Sequence, residues 1–164
     1  NLPANQRQIV TTQIGFVSRN NPTFRLLPLG TIVIAKRGAA ILKNRVRITA
    51  VPVALDPNLM ALRLRDDILP EFFRYQLEWR NLARYVESSG VPQLNNKDLY
   101  PRWFVRPPED QQHEIVGLIS AAERREDALR SKLQSLEALK NSLTHDLLTG
   151  TVRVDPAILQ EQQA

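Results

Sequence analysis

Hydrophobic spacing divides the chain into two regimes. Up to about residue 108 the apolar runs are short and strand-like. Thr31-Ile32-Val33-Ile34-Ala35 is a β-branched run that predicts a buried strand, opened by Leu26-Leu27-Pro28-Leu29-Gly30 and ended by Lys36-Arg37-Gly38. The stretch 45–51 alternates polar and apolar, which predicts a half-buried strand with Arg45 and Arg47 on one face and Val46 and Ile48 on the other. A further strand is expected over 59–64 and a last short one at Trp103-Phe104-Val105. Between them Pro70 opens a helix. Its apolar stripe, Phe72, Tyr75, Trp79, Leu82, Ala83 and Val86, recurs at spacings of three and four and reads as core packing, and Ser88-Ser89-Gly90 ends it. Asn20-Asn21-Pro22 marks a turn near the start.

From Glu109 to Leu148 the period changes. The segment has no proline and a single glycine, and predicts one helix of roughly 58 Å at 1.5 Å per residue. Glu109 and Asp110 complement the dipole of its first turn, and Gly150 lies in the usual stop position. Ile115, Ala122, Leu129, Leu136 and Leu143 recur every seven residues, and four further on come Ile119, Glu126, Leu133, Lys140 and Leu147. Five such heptads predict a coiled-coil seam formed by Ile115, Ile119, Ala122, Leu129, Leu133, Leu136, Leu143 and Leu147, with Glu126 and Lys140 setting register. The Gln-rich tail after Val154 is expected to fray.

Charge follows the same division. Residues 1–108 hold sixteen cations against seven acids, a net +9, and the remainder six against ten, a net −4. A basic front with an acidic back predicts two jobs, and the excess of arginine over lysine in the front suits phosphates and guanine edges. A polyanion partner is therefore expected of the front and a protein partner of the back.

Candidate chemistry is thin. The 164 residues contain no cysteine, so disulfides, thiolate metal sites and thiol catalysis are excluded. No phosphate-binding glycine loop, Gly-x-Ser-x-Gly elbow or Asn-Pro-Pro-aromatic segment is present. His113 and His145 lie 32 residues apart with no neighbouring ligand type, and Asp66-Asp67 reads as a turn pair. No catalytic residue, metal site or cofactor is expected. No apolar run reaches the roughly 20 residues of a membrane span, and a cytoplasmic location is expected.

Several segments in order carry a resemblance: the strand Gly30-Thr31-Ile32-Val33-Ile34-Ala35-Lys36-Arg37-Gly38, the helix opening Pro70-Glu71-Phe72-Phe73-Arg74-Tyr75-Gln76-Leu77, then Ser89-Gly90-Val91-Pro92-Gln93-Leu94 before Asp98-Leu99. Pro107-Pro108-Glu109-Asp110-Gln111-Gln112-His113-Glu114-Ile115-Val116 leads into the heptads, and Leu147-Leu148-Thr149-Gly150-Thr151-Val152 leaves them. In this order the chain resembles the specificity subunit of type I restriction–modification systems, with one target-recognition domain and one conserved-region helix. It departs from that pattern in having Gly30-Thr31 where the family usually has Gly-Asp, and in having one recognition domain and one helix where the family usually has two. Either the C-terminal part of a longer subunit or a natural half-subunit fits.

The expected fold class is α+β: a small mixed, β-rich recognition domain over residues 1–108 with one packed helix, a long coiled-coil helix over 109–150 and a tail over 151–164. The resemblance implies a subunit that is not itself an enzyme. It would read half of a bipartite site in double-stranded DNA and space two such readers. It would dock an adenine methyltransferase subunit and a restriction subunit, and pair through its long helix with a second specificity half or a second copy. Lys36, Arg37, Lys43, Arg45 and Arg47 are the expected DNA contacts. Gln93, Asn95 and Asn96 are candidate adenine readers with Lys97 on phosphate, or else a turn whose amides cap backbone groups. Two other readings share these local features: a recognition domain of a fused single-chain methyltransferase–nuclease, and a protein-interaction module whose basic front meets an acidic protein.

Overall fold

The computed structural model describes residues 7–10, 26–86 and 90–153. Four short strands, β1 (Gln8–Ile9), β2 (Ile32–Ala35), β3 (Val46–Thr49) and β4 (Leu59–Leu62), form one sheet in the order β1-β3-β2-β4. β2 runs antiparallel to both neighbours while β1 runs parallel to β3, so the sheet is mixed. Three α-helices follow, α1 (Pro70–Arg80), α2 (Asn96–Leu99) and α3 (Glu109–Leu148), with 3-10 turns at Ile41–Lys43 and Leu82–Tyr85. The fold class is α+β, as expected.

The register explains which side chains form the core. Ile32 pairs with Ile48 and Leu62, and Ile34 with Val46 and Met60, so one face of the sheet is continuously aliphatic. That face joins Leu77 of α1, Leu82, Ile41, Leu94 and Leu99 in a single buried cluster. The other face carries the row Arg47, Val33, Ala61. The strand alternation read from the sequence therefore holds, with Val46 and Ile48 buried and Arg47 opposite them.

Gly30 and Thr31 close the turn into β2. The Thr31 and Thr49 hydroxyls both donate to the Pro28 carbonyl, at 2.8 and 2.7 Å. The Thr31 N–H donates to Thr49 Oγ1 at 3.0 Å. Gly30 has φ +74°, and a Cβ there would lie 3.5 Å from Pro70 Cγ. The space is adequate, but the left-handed backbone costs a side-chain-bearing residue about 1–2 kcal/mol. Gly117, inside α3, has open space where a Cβ would point and an ordinary helical backbone. Glycine is about 1 kcal/mol worse than alanine there. Urea denaturation should therefore shift in opposite directions, down for Gly30→Ala and up for Gly117→Ala.

Three expectations are corrected. The helix opened by Pro70 ends at Arg80, because Asn81 takes φ +61° and its side chain accepts from the Ala83 N–H at 3.1 Å, starting the 3-10 turn instead. The stripe drawn across that break holds only in part: Phe72 and Leu82 are buried and Val86 packs against the core, but Trp79 is 82% exposed, and α1 buries Arg74 and Leu77 beside Phe72. Arg74 is tolerated inside because Glu78 pairs with it at 2.8 Å and the Tyr75 ring lies 4.1 Å from its guanidinium carbon. Residues 103–105 form no strand. The Gln76 side chain takes the place of a neighbouring strand, its Nε2 donating to the Val105 carbonyl and its Oε1 accepting from the Val105 N–H, both at 2.9 Å. Phe104 turns the other way, with its ring centroid 4.8 Å from that of Phe73.

The long helix runs unbroken over Glu109–Leu148 and gives way to a turn at Thr149 and Gly150. By packing, Asn1–Val116 forms one compact unit and Gly117–Ala164 a second. The first two turns of α3 belong to the first unit because Gln112 anchors them. Its side chain is fully buried, Nε2 donating to the carbonyls of Asp67 (3.0 Å) and Pro107 (2.9 Å) and Oε1 accepting from the Leu69 N–H (2.9 Å). In the second unit Leu129, Leu133, Leu136 and Leu143 are 52–56% exposed, so the heptad seam faces outward in the single chain. The expected turn at Asn20-Asn21-Pro22, the Ser88-Ser89 helix stop and the tail from Val154 lie outside the described residues.

Candidate nucleic-acid interface

The basic residues of the front cluster in the connection between β2 and β3. The chain leaves β2 as Lys36-Arg37-Gly38 and re-enters β3 through Lys43-Asn44-Arg45. Because β2 and β3 are antiparallel neighbours, these two ends lie at the same end of the sheet. Ile41, 1% exposed, plugs the middle of the connection into the core, leaving Arg37, Lys43 and Arg45 exposed and Lys36 half-buried. Residues 36–47 contain no acid. The nearest acid on the adjoining turn, Asp56, has an oxygen occupied by the Asn58 N–H at 2.7 Å, and the Asn58 carbonyl accepts from the Lys36 N–H at 2.8 Å.

The amide-rich loop is zipped onto this connection. The Gly38 N–H donates to the Pro92 carbonyl at 2.8 Å, and the Leu94 N–H donates to the Lys36 carbonyl at 2.9 Å. Arg37 and Gln93 thereby become directly opposed in an antiparallel bridge. Leu94 is fully buried, which fixes the neighbouring Gln93 outward. Six of the nine expected contact residues are thus brought to one place: Lys36, Arg37, Lys43, Arg45, Gln93 and Asn95.

The loop also shows what its amides do in the free chain. The Asn95 N–H donates to Asp98 Oδ2 at 2.7 Å, the acidic half of a capping box that opens α2. Gln93 Nε2 donates to Asn95 Oδ1 at 2.9 Å. Asn95 is accordingly a capping residue, and Gln93, Asn96 and Lys97 are exposed.

Arg47 differs from the other cations. It is half-buried in the row with Val33 and Ala61. Burial first, and the like charge of Arg45 second, lower its pKa below that of an ordinary arginine. Arginine nonetheless stays charged at neutral pH, so Arg47 is a partly desolvated cation behind an exposed one.

Sequence reasoning missed Asn44. It sits in the left-handed region at φ +47°, which asparagine tolerates. Its Nδ2 donates to the Glu78 carbonyl at 2.6 Å and its Oδ1 accepts from the Leu82 N–H at 2.8 Å. Asn44 thus joins the basic connection to the end of α1, between Lys43 and Arg45. The only sequence signal is an asparagine between two cations, which a solvent-exposed turn gives equally well. Other arginines of the front are engaged internally. Arg65 and Arg106 both pair with Asp67, at 3.4 and 3.0 Å. Arg80 lies over the Phe104 ring at 4.9 Å and Arg102 over the Tyr85 ring at 4.8 Å.

Among the described residues no cluster of three or more His, Asp or Glu could hold a metal ion, and no helix is long and apolar enough to cross a membrane. No family model matches the chain. Among solved structures, the chain is similar to a chain from a structure concerned with complex assembly and conformational transition of the type I R-M system, with a TM-score of 0.62 and 21% identity. The match covers 73% of this chain but 29% of that one, so this chain spans less than a third of the length of its structural neighbour. At this identity the likeness is one of fold.

Proposed function

We propose that this chain is one target-recognition domain and one spacer helix of a type I restriction–modification specificity subunit, and that it binds double-stranded DNA without catalysing a reaction on it. The observation that carries the reading is the backbone zipper that sets the basic connection 36–45 against the amide loop 91–97. Phosphate binding needs exposed cations, and base reading needs amides or guanidinium groups held in a fixed frame beside them. In this reading Lys36, Lys43, Arg45 and Lys97 hold phosphates. Arg37, Gln93 and Asn96 face base edges, Asn95 holds Gln93 in place, and Arg47 supports Arg45 from behind. The fold likeness to a chain of a type I R-M structure supports the same assignment. The exposed seam of α3 would be the protein-facing half, pairing with a second specificity half or copy and docking adenine methyltransferase and restriction subunits.

The test is selection of duplexes from a random-sequence pool by the purified chain, followed by titration at several salt concentrations. Expected is enrichment of a short, fixed base-pair pattern. The logarithm of affinity should fall linearly with the logarithm of salt, at about −0.9 per phosphate held. Binding with no enriched pattern would remove the reading function, and no binding at low salt would remove DNA altogether.

A further inference from the structure

A cation outside the basic connection shares its surface. The 3-10 turn Ile41–Lys43 packs against the second 3-10 turn, Leu82–Tyr85, which follows α1. Asn44 locks the two together, its Nδ2 donating to the Glu78 carbonyl at 2.6 Å and its Oδ1 accepting from the Leu82 N–H at 2.8 Å. Leu82 is buried, while Arg84, two residues on, is exposed. We propose that Arg84 is a further phosphate contact of the DNA surface, and that Asn44 is the positioning residue that holds it beside Lys43 and Arg45. The proposal rests on the reading of the front as a DNA-recognition unit and adds to it a cation from a separate part of the chain.

The turn that carries Arg84 is fixed from within as well. The Asn81 side chain accepts from the Ala83 N–H at 3.1 Å, and the Asn81 carbonyl accepts from the Arg84 N–H at 3.0 Å. Three residues complete a 3-10 turn, so Leu82 and Tyr85 share a face. Leu82 belongs to the core cluster and Tyr85 packs against it, which leaves Arg84 on the outer side. Arg84 makes no ion pair among the described residues. The last acid of α1, Glu78, is paired with Arg74 at 2.8 Å, and residues 36–47 hold no acid. Lys43, Arg45 and Arg84 are thus three exposed cations around one asparagine. Arg80 and Arg102 differ, since they lie over the Phe104 and Tyr85 rings.

Asn44 suits this task because its short amide offers one donor group and one acceptor, and the two backbone groups it meets need one of each. A lysine or arginine there could not accept from the Leu82 N–H. The amide loop with Lys97 is bonded to the connection at residues 36 and 38, where β2 stops. Asn44 brings Arg84 to the other end of the connection, where β3 begins. Phosphate contacts fix the register of a protein on a duplex without reading bases. Contacts at both ends of the connection hold that register more firmly than contacts at one.

The test is titration of the full chain with a random-sequence duplex at several salt concentrations. Arg84→Ala should reduce the salt slope by about 0.9 and lower affinity about eightfold at about 0.1 M salt. Arg84→Lys keeps the charge and should keep the slope. Arg63→Ala is the control. Arg63 is exposed and follows β4 at the end of the sheet opposite the connection, because Ala35 pairs with Leu59 and Ile32 with Leu62. Its loss should leave the slope unchanged. Asn44→Gly tolerates the positive φ and removes both bonds of the lock. In that background Arg84→Ala should lower affinity by less than about threefold, a coupling that a general loss of stability would not produce. An unchanged slope for Arg84→Ala, or an equal loss for Arg63→Ala, would overturn the Arg84 contact and leave duplex binding by the wild type standing. An undiminished effect of Arg84→Ala beside Asn44→Gly would overturn the positioning role. The Arg84 arms concern an exposed side chain and stand even where Asn44→Gly does not fold. A wild-type chain that binds no duplex would overturn the DNA reading and this contact together.

Discussion

Replacing Gln112 with leucine is expected to lower the stability of the first unit by about 3 kcal/mol or more. The substitution keeps the volume roughly constant and leaves the Leu69 N–H and the carbonyls of Asp67 and Pro107 without their partner. Each buried polar group left unpaired costs about 1–3 kcal/mol, and a domain of this size has only about 5–15 kcal/mol in total. A fall in Tm of about 10 °C or more by calorimetry is expected. A loss within about 0.5 kcal/mol would mean that water replaces the amide and that Gln112 is not an anchor. Gln112→Glu separates hydrogen bonding from shape. Its carboxylate can still accept from Leu69 but faces two carbonyl oxygens where the amide donated, so burial and repulsion raise its folded pKa above the unfolded value of about 4.3. A raised folded pKa means that the variant is closest to wild type at low pH, and the deficit grows as pH rises from the unfolded value toward the folded pKa. The same clamp explains why the first two turns of α3 pack with the unit that precedes them.

Gln112 also shows which parts of this molecule a sequence can disclose. The seam of α3 is legible because its period is local: each apolar position is defined by residues three and four away, and no tertiary partner is needed to see it. The strands 32–35 and 46–49 are legible for the same reason. Gln112 reaches back 43 and 45 residues to Leu69 and Asp67, and Asn44 reaches forward 34 and 38 residues to Glu78 and Leu82. Polar clamps of this kind have no periodic signature, since any surface glutamine or asparagine looks the same. Helical spacing misplaces Trp79 because it assigns every apolar residue of the helix to the core face, whereas α1 turns Phe72, Arg74 and Leu77 inward; the positive φ of Asn81 then ends the helix that the spacing continues. The stretch 103–105 reads as a strand because β-propensity reports an extended, half-buried backbone. It is silent on whether the partner is another strand or, as here, the side chain of Gln76. At the candidate interface, sequence shows two separate polar segments, the cations and the amide loop, but has no means to join 36–38 to 92–94. That joining is what turns two separate polar segments into one surface.

Reversing three charges on that surface should remove duplex binding while sparing the fold. In the variant Arg37→Glu/Lys43→Glu/Arg45→Glu, all three positions are exposed and none makes an ion pair among the described residues, so stability should change by less than about 1 kcal/mol. Binding should respond far more strongly. The two lost phosphate contacts, of Lys43 and Arg45, lower the salt slope by about two units, the base contact of Arg37 goes with them, and three new carboxylates against a polyanion add repulsion. A drop of at least about 100-fold in affinity at low salt is expected by fluorescence anisotropy. Arg47 is left in place because it is half-buried behind Arg45, and altering it would mix a packing defect with a charge effect. Reversing Arg65, Arg102 and Arg106 serves as the control of equal net charge. Arg65 and Arg106 are held by Asp67 and Arg102 by the Tyr85 ring, so this control should shift stability more and affinity less. Equal losses of affinity in the two triple variants would mean that the chain is attracted to DNA by net charge alone, and the zipped connection would then have no special claim to the phosphates.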